Sequence, residues 1–289
     1  MQKKAFVLLS GGLDSTTCLY KAIHDFAPKD MNHGYGDLEL IQAYIADGGT
    51  VDWVEAVSID YGQRHIKEAE QAHIICDQLG IKHSIINLKG IMDGPQVMLT
   101  DRNVEVPNIS YDEIKGVSPT YVPFRNGTML AALTAHAQKY VMGQISEDQV
   151  FNDLEDKEYS TAKAKDLVGI YFGAHAEDAH NWAYPDCTPE FVGAMANAIY
   201  IGTYFTVRLF TPFLSSSKAD IVTTGKKLGV PYELTWSCYK GDEVHCGECP
   251  TCRARKESFR AAGVDDPTIY ADLKAPKESF AGSIYGIED

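Results

Sequence analysis

Apolar positions along this chain fall into two alternating kinds of run. Short, mostly apolar runs at residues 5–9, 54–59, 81–88, 167–172 and 207–210 have the length of strands. Between them, apolar residues recur at helical spacing. Leu13, Cys18, Leu19 and Ile23 predict a helix over 14–26. Ile74, Ile75 and Leu79 predict one over 66–79, stopped by Gly80. Met129, Leu130, Leu133 and Ala137 predict one over 124–140. Thr188-Pro189-Glu190 reads as N-cap, first-turn proline and first-turn acid for a helix to residue 200. A capped helix over 217–228 ends at Gly229 and Pro231. This alternation predicts an α/β fold, a Rossmann-like and mostly parallel sheet with helices on both faces. In such sheets ligands bind beyond the carboxyl ends of the strands. Residues 10–15, 60–65 and 173–186 all fall at such ends and are expected to share one crevice.

Three stretches interrupt the pattern. Residues 27–51 and 143–165 read as acidic insertions, the first holding a short amphipathic piece at 38–45, the second a surface helix or a partly disordered stretch. Residues 89–123 are turn-rich and long enough to suggest a lid or binding loop. The expected organisation is a nucleotide-binding domain over 1–230 carrying both insertions, followed by a small cysteine-bearing segment over 231–289.

Composition adds limits. The 289 residues are 45% apolar and 23% charged, ordinary for a soluble globular protein. No apolar run has the length of a membrane helix, and the first residues lack the parts of a signal peptide, so a cytoplasmic location and no membrane contact are expected. A net charge of −14 repels phosphate backbones, which argues against a stable nucleic-acid partner.

The first strand runs into Leu9-Ser10-Gly11-Gly12-Leu13-Asp14-Ser15-Thr16-Thr17-Cys18-Leu19. Strand, glycine turn and helix start make an anion cradle: glycine lets the backbone approach a phosphate, and the free N–H groups and dipole of the helix end face it. The alternative is a plain tight turn. No Gly-Lys-Ser/Thr follows, so it is not a Walker loop. The string Ser-Gly-Gly-Leu-Asp-Ser resembles the pyrophosphate loop of the ATP pyrophosphatase (PP-loop) superfamily. The resemblance implies ATP on this turn, with Leu9 through Leu19 as the nucleotide-contacting stretch.

Of seven cysteines, Cys18, Cys76 and Cys187 are scattered, whereas Cys238, Cys246, Cys249 and Cys252 cluster. In a cytosolic chain such a cluster reads as a metal site before disulfides. The spacing, with Gly247 and Pro250 in the turns, suits a tetrahedral Zn²⁺; an iron–sulfur cluster is the competing reading, and His245 is a possible substitute ligand. A closed four-cysteine site leaves no open position, so the metal reads as structural. Cys18 reads as core.

Together the strings SGGLDSTTCL, DYGQRH, TYVPFRN, YPDC followed by PEF, and TWSCY with CGECPTCRAR resemble, in this order, the 7-cyano-7-deazaguanine synthase (QueC) family, over residues 6–267. The resemblance implies a C–N ligase that takes 7-carboxy-7-deazaguanine, ammonia and ATP to the nitrile 7-cyano-7-deazaguanine (preQ0), through an adenylated carboxylate and an amide, in a homodimer. Asp14 would organise Mg²⁺, and Ser10 and Ser15 would hold pyrophosphate. Arg64 and Arg125 match a carboxylate or a phosphate, since a guanidinium fork suits either. Asn126, Glu177 and Asp186 are candidates for the base edge, Tyr121 or Tyr184 for stacking, Lys218 for the phosphates and His65 for proton transfer, with Gln63 a further substrate-binding candidate. Surface ion pairs, packing and a satisfied histidine are the structural alternatives. The catalytic set is thus Asp14, Arg64, Arg125 and Lys218. The two insertions depart from the family pattern, as does Thr188 where the family carries arginine. Other readings are a different PP-loop ATPase, either an amide-forming synthetase or a tRNA-thiolating enzyme, and a silent binding module. Thiolation needs a reactive cysteine near the nucleotide, and an intact loop weighs against the silent module.

Overall fold

The computed structural model describes residues 1–28, 38–63, 66–92, 120–152, 161–179, 182, 184–240 and 243–271. Arg64, His65, most of the expected lid (93–119) and parts of both insertions (29–37 and 153–160) lie outside the described residues, as does the tail beyond 271. The elements are β1 (Lys4–Leu8), α1 (Leu13–Phe26), α2 (Leu38–Ala46), β2 (Val54–Asp60), α3 (Ile66–Gln78), β3 (Lys82–Asn87), α4 (Arg125–Asn152), β4 (Val168–Tyr171), α5 (Ala176–Ala179), α6 (Pro189–Gly202), β5 (Val207–Phe210), α7 (Lys218–Leu228) and α8 (Pro250–Ala262).

The strands form a five-stranded sheet of order β3-β2-β1-β4-β5, every pairing parallel. Each strand, β1 to β4, hands over to the next through a helical crossover, because parallel neighbours cannot be joined by a hairpin. The central strands are buried on both faces, Glu55 and Ser58 of β2 included. One apolar cluster gathers Leu19, Ile23, Ile75, Ile221 and Phe259 from α1, α3, α7 and α8; the other gathers Leu130, Leu133, Ala137 and Ile199 from α4 and α6. From β1 the sheet grows one way through β2 and the other way through β4. The carboxyl ends of these three strands therefore surround a reversal of strand order, where a crevice opens.

Several local expectations change. The helix expected to end at residue 140 runs on to Asn152, absorbing the first part of the second insertion. Ile74, expected inward, is exposed, and the buried stripe of α3 is Ala72, Ile75, Cys76 and Leu79. The segment after the cysteines carries a helix, α8, that periodicity did not single out; its Phe259 packs edge-on to Tyr232 at 5.1 Å. Thr188 caps α6 as expected, its hydroxyl accepting from Phe191 N and donating to Pro185 O, so this side chain is committed to the turn.

Candidate active site

A cleft of about 290 Å³ opens at the carboxyl ends of β1, β2 and β4. The glycine turn forms its floor. Gly11 has φ +89°, and a Cβ there would meet the carbonyl oxygen of Glu68 at 2.1 Å, so only glycine lets α3 dock against the turn. Ser10 N donates to Ser15 Oγ at 3.2 Å, the two hydroxyls lie 3.0 Å apart, and Gly12 N donates to Ser10 Oγ at 3.2 Å. No side chain caps α1, whose N-terminus faces the cleft. A helix end left this way is a site for an anion.

Four charged groups converge beside the turn. Asp14 sits in the first turn of α1, Lys218 opens α7, and His175 and Asp178 follow β4. His175 Nε2 stands 3.2 Å from Asp178 Oδ2 and 3.6 Å from Asp14 Oδ2, yet neither of its ring nitrogens has a hydrogen-bond partner. Burial favours the neutral acid at Asp14, but Lys218 and His175 outweigh it and hold the carboxyl down at about 2. Burial also opposes charge on Lys218, and Asp14 and Asp178 overcome it, raising the amine above its ordinary value. The same two carboxylates raise His175 against its burial. Asp14 Oδ1 is buried without a hydrogen-bond partner. An orphaned carboxylate oxygen beside a helix N-terminus fits a divalent cation carried by a polyphosphate.

The opposite wall comes from α3 and α4. Arg125 is the first residue of α4; burial opposes its charge, and Tyr61, Tyr239 and Asp186 more than restore it. Glu68, in the first turn of α3, is pushed up to about 7 by burial, with Arg125 pulling the other way. Gln63 lines the cleft and is locked by its own loop, accepting from Tyr61 N at 2.9 Å and donating to Ile59 O at 3.0 Å.

The predicted site residues thus divide by place. Leu9, Ser10, Gly12, Leu13, Asp14, Ser15, Gln63, Arg125, Asn126 and Lys218 line the cleft. Gly11, Thr16, Thr17, Cys18 and Leu19 lie behind that lining; Thr17 Oγ1 lies 3.0 Å from the Tyr232 hydroxyl, and Cys18 is core as expected. Asp186 accepts from Asn126 N at 3.0 Å and Asn126 Nδ2 donates to Cys187 Sγ at 3.2 Å, so these groups hold the start of α4 to the turn before α6. Glu177 accepts from Lys218 N at 2.7 Å, the Tyr121 hydroxyl accepts from Phe124 N, and the Tyr184 hydroxyl pairs with Thr120. Cys187 also lines the cleft, but burial and then Asp178 and Asp186 push its thiol well above the ordinary range, which keeps it protonated.

Sequence reasoning missed His175, Asp178, Glu68, Tyr239 and Arg255. Each lies inside a stretch already singled out or just beyond one, but no residue pattern marks which member turns inward. The C-terminal segment is part of the cleft: Trp236, Ser237, Tyr239 and Thr251 line it, and Trp236 N donates to Gly11 O at 2.9 Å. Arg255, buried, donates to Thr235 Oγ1, Ser237 Oγ and Tyr232 O, and lies 3.4 Å from Asp266.

Behind this wall the sulfurs of Cys238, Cys246, Cys249 and Cys252 lie within 4.8 Å of one another, with Cys246 Sγ and Cys252 Sγ at 3.9 Å. A tetrahedron with ~2.3 Å metal–sulfur bonds has sulfur–sulfur edges of roughly 3.8 Å. The group therefore suits a metal ion such as zinc. Cys249 caps α8 and Cys252 sits in its first turn, where the helix end favours thiolate. His245 is not a ligand: its Nε2 accepts from Ser237 N at 3.1 Å, and burial, helped by Arg255, lowers it to about 4. Among the described residues no helix is long and apolar enough to cross a membrane.

Comparison with known proteins places this geometry. The family model "Queuosine biosynthesis protein QueC" matches residues 40–160 and 157–263. A protein of Thermoplasma volcanium named 7-cyano-7-deazaguanine synthase is 37% identical, over 94% of this chain and 92% of its own length. Proteins of the same name from Psychromonas ingrahamii (33% identical, 94% of this chain, 100% of its own) and Methanoculleus marisnigri (36%, 93% and 99%) match equally broadly. An overlay on NMN synthetase from Francisella tularensis covers 91% of this chain and 79% of that one, at 14% identity and a TM-score of 0.33, too loose to carry an argument. With most of its length matched both by the family model and by relatives above 30% identity, the chain belongs to the QueC family.

Proposed function

We propose that this chain is a C–N ligase that makes 7-cyano-7-deazaguanine from 7-carboxy-7-deazaguanine, ammonia and ATP. The observation that carries the reading is the near full-length similarity to proteins named 7-cyano-7-deazaguanine synthase, in a chain whose uncapped α1 terminus and glycine turn open into the cleft.

The chemistry explains what each wall is for. A carboxylate is a poor electrophile, and its oxygen leaves only after activation. Attack on the α-phosphorus of ATP gives an acyl adenylate, ammonia displaces AMP to form the amide, and a second activation at the amide oxygen gives the nitrile. Backbone N–H groups at the start of α1, with Ser10 and Ser15, cradle the leaving pyrophosphate. Lys218 adds a positive charge beside it. Asp14, with its unpaired Oδ1, and Asp178 across from it would hold Mg²⁺, which neutralises the polyphosphate. Arg125, kept charged on the other wall, orients the substrate carboxylate as a fork on two oxygens. Such donors stabilise charge as it develops, without reorganising. The four-cysteine group would hold Zn²⁺ as a structural element pinning residues 235–239 against the turn. Cys187, the cleft thiol, is held neutral, which weighs against the thiolating alternative.

Incubation of folded, zinc-loaded protein with 7-carboxy-7-deazaguanine, ATP, Mg²⁺ and ammonium should yield preQ0 by mass spectrometry, with AMP and pyrophosphate released. Absence of the nitrile from such a sample sinks the reading; release of ADP instead of AMP removes the adenylate.

A further inference from the structure

Glu68 has no part in the chemistry described above. It lines the cleft from the first turn of α3, and its carbonyl oxygen is the atom that any side chain at Gly11 would strike, so its place relative to the turn is fixed by backbone packing. Among the described residues, Arg125 from α4 and Tyr61 after β2 interact with its carboxyl, and Tyr239 interacts in turn with Arg125. Glu68 makes no ion pair, among the described residues, of the kind that Glu55 makes with Lys82 and His136, or Asp60 with Lys89. The residue lines the cleft near Arg125, the arginine proposed to orient the substrate carboxylate.

From this placement we infer that Glu68 is a catalytic residue, the proton acceptor for the nitrogen at both amide formation and dehydration. The inference rests on the proposed reaction. In the first step the ammonia lone pair forms the C–N bond to the acyl carbon. Glu68 takes a proton from the nitrogen, and the C–O bond breaks with its electron pair leaving on AMP. In the second, attack of the amide oxygen on the α-phosphorus expels pyrophosphate and leaves a C=NH2+ group, which gives one proton to water and keeps one N–H proton. Glu68 takes that proton, the N–H electron pair becomes the third C–N bond, and the C–O bond again breaks toward AMP. Water in the cleft carries each proton away before the next step.

The helix N-terminus and Arg125 both favour the ionised acid, and burial overrides them, leaving the group poised near neutral pH at about 7. A carboxylate ionised far below neutrality would be a weaker acceptor, and a fully enclosed one would not exchange its proton.

The test separates the half-reactions. Exchange of labelled pyrophosphate into ATP, dependent on 7-carboxy-7-deazaguanine, reports adenylation without ammonia; quenched-flow detection of amide and nitrile reports the later steps. Glu68→Gln should keep exchange and the KM for both ATP and the deazaguanine within about twofold while kcat for amide and nitrile falls about 100-fold. The basic-going rise of kcat near pH 7 should vanish in it, and Glu68→Asp should recover part of the rate. Nitrile formation by Glu68→Gln within twofold of wild type overturns the inference. So does a loss expressed as a raised KM for the deazaguanine, which would make Glu68 a reader of the base. Wild-type protein that shows no exchange fails the proposed function instead, and takes this inference with it.

Discussion

The glycine turn at residues 10–15 and the cysteine turns at 238–252 are built from similar parts and end in opposite states. Both place a glycine at positive φ, Gly11 and Gly247, and both feed the N-terminus of a helix, α1 and α8. In the first, the helix end has no side-chain cap and opens into the cleft, so its donors are kept for something that arrives. In the second, α8 also lacks a side-chain cap, but its end is enclosed: Cys238, Cys249 and Cys252 are buried and the four sulfurs converge. One is a site and the other a scaffold, and the bond from Trp236 N to Gly11 O joins them. The difference teaches that an uncapped helix N-terminus becomes a ligand site where it opens into a cleft, and not where the chain's own groups enclose it.

The sharpest way to break this comparison is to remove the scaffold. Strong chelation, or Cys246→Ser, should destabilise the protein by about 5 kcal/mol or more, since structural metal binding is folding free energy. ATP binding by calorimetry should disappear with it, because Trp236, Ser237 and Tyr239 wall the cleft. A metal-free protein that stays folded and binds ATP would make the two regions independent. Next in size is Arg255→Met, which strips partners from Thr235, Ser237 and Asp266. A loss of about 3–5 kcal/mol in urea unfolding is expected for a broken buried ion pair. Asp14→Asn tests the open end: nitrile formation should fall about 100-fold, and melting temperature at neutral pH should also drop, because Lys218 and His175 lose the carboxylate they face.

The pH dependence sharpens the same contrast. Asp14 has its folded value depressed to about 2, against 3.8 in an ordinary carboxyl. Its contribution to stability is therefore complete above about pH 4 and is lost as pH falls through about 2. In Mg²⁺-free buffer, acid unfolding of Asp14→Asn followed by circular dichroism should lack that part of the transition. His245, lowered to about 4 by burial, acts in the same direction at higher pH: the folded state resists its protonation, so it costs stability as pH falls below its ordinary 6.5. The smallest effect expected is at Ser217, whose capping box with Asp220 starts α7 and so positions Lys218. Ser217→Ala should cost about 1 kcal/mol in thermal unfolding, with a modest rise in the KM for ATP.

Much of this molecule is legible in local pattern. The central strands β1, β2 and β4 show as mostly apolar runs, because a strand buried on both faces has little polar side to display, whereas the edge strands β3 and β5 mix polar and apolar residues. The glycine turn and the four cysteines announce themselves because their chemistry depends on near neighbours in sequence. Thr188 and Ser217 are legible as caps for the same reason. The length of α4 is not, because its later turns past Tyr140 are polar and carry little periodic signal. Nor is α8, whose buried residues include Arg255 and Ser258 among its few apolar ones.

The sequence alone determines that a doubly covered parallel sheet carries an anion turn and a closed thiol cluster, since backbone conformation and ligand spacing are set within a few residues. Tertiary structure alone decides which polar groups share the cleft. His175 and Asp178 reach Asp14 only because β4 lies beside β1, and Glu68 reaches the turn only because Gly11 has no side chain. Arg125 meets Tyr239 only because residues 235–239 fold back over the opening. Charges far apart in sequence shift one another only where packing brings them within a few ångströms and excludes water, and no local pattern encodes that distance.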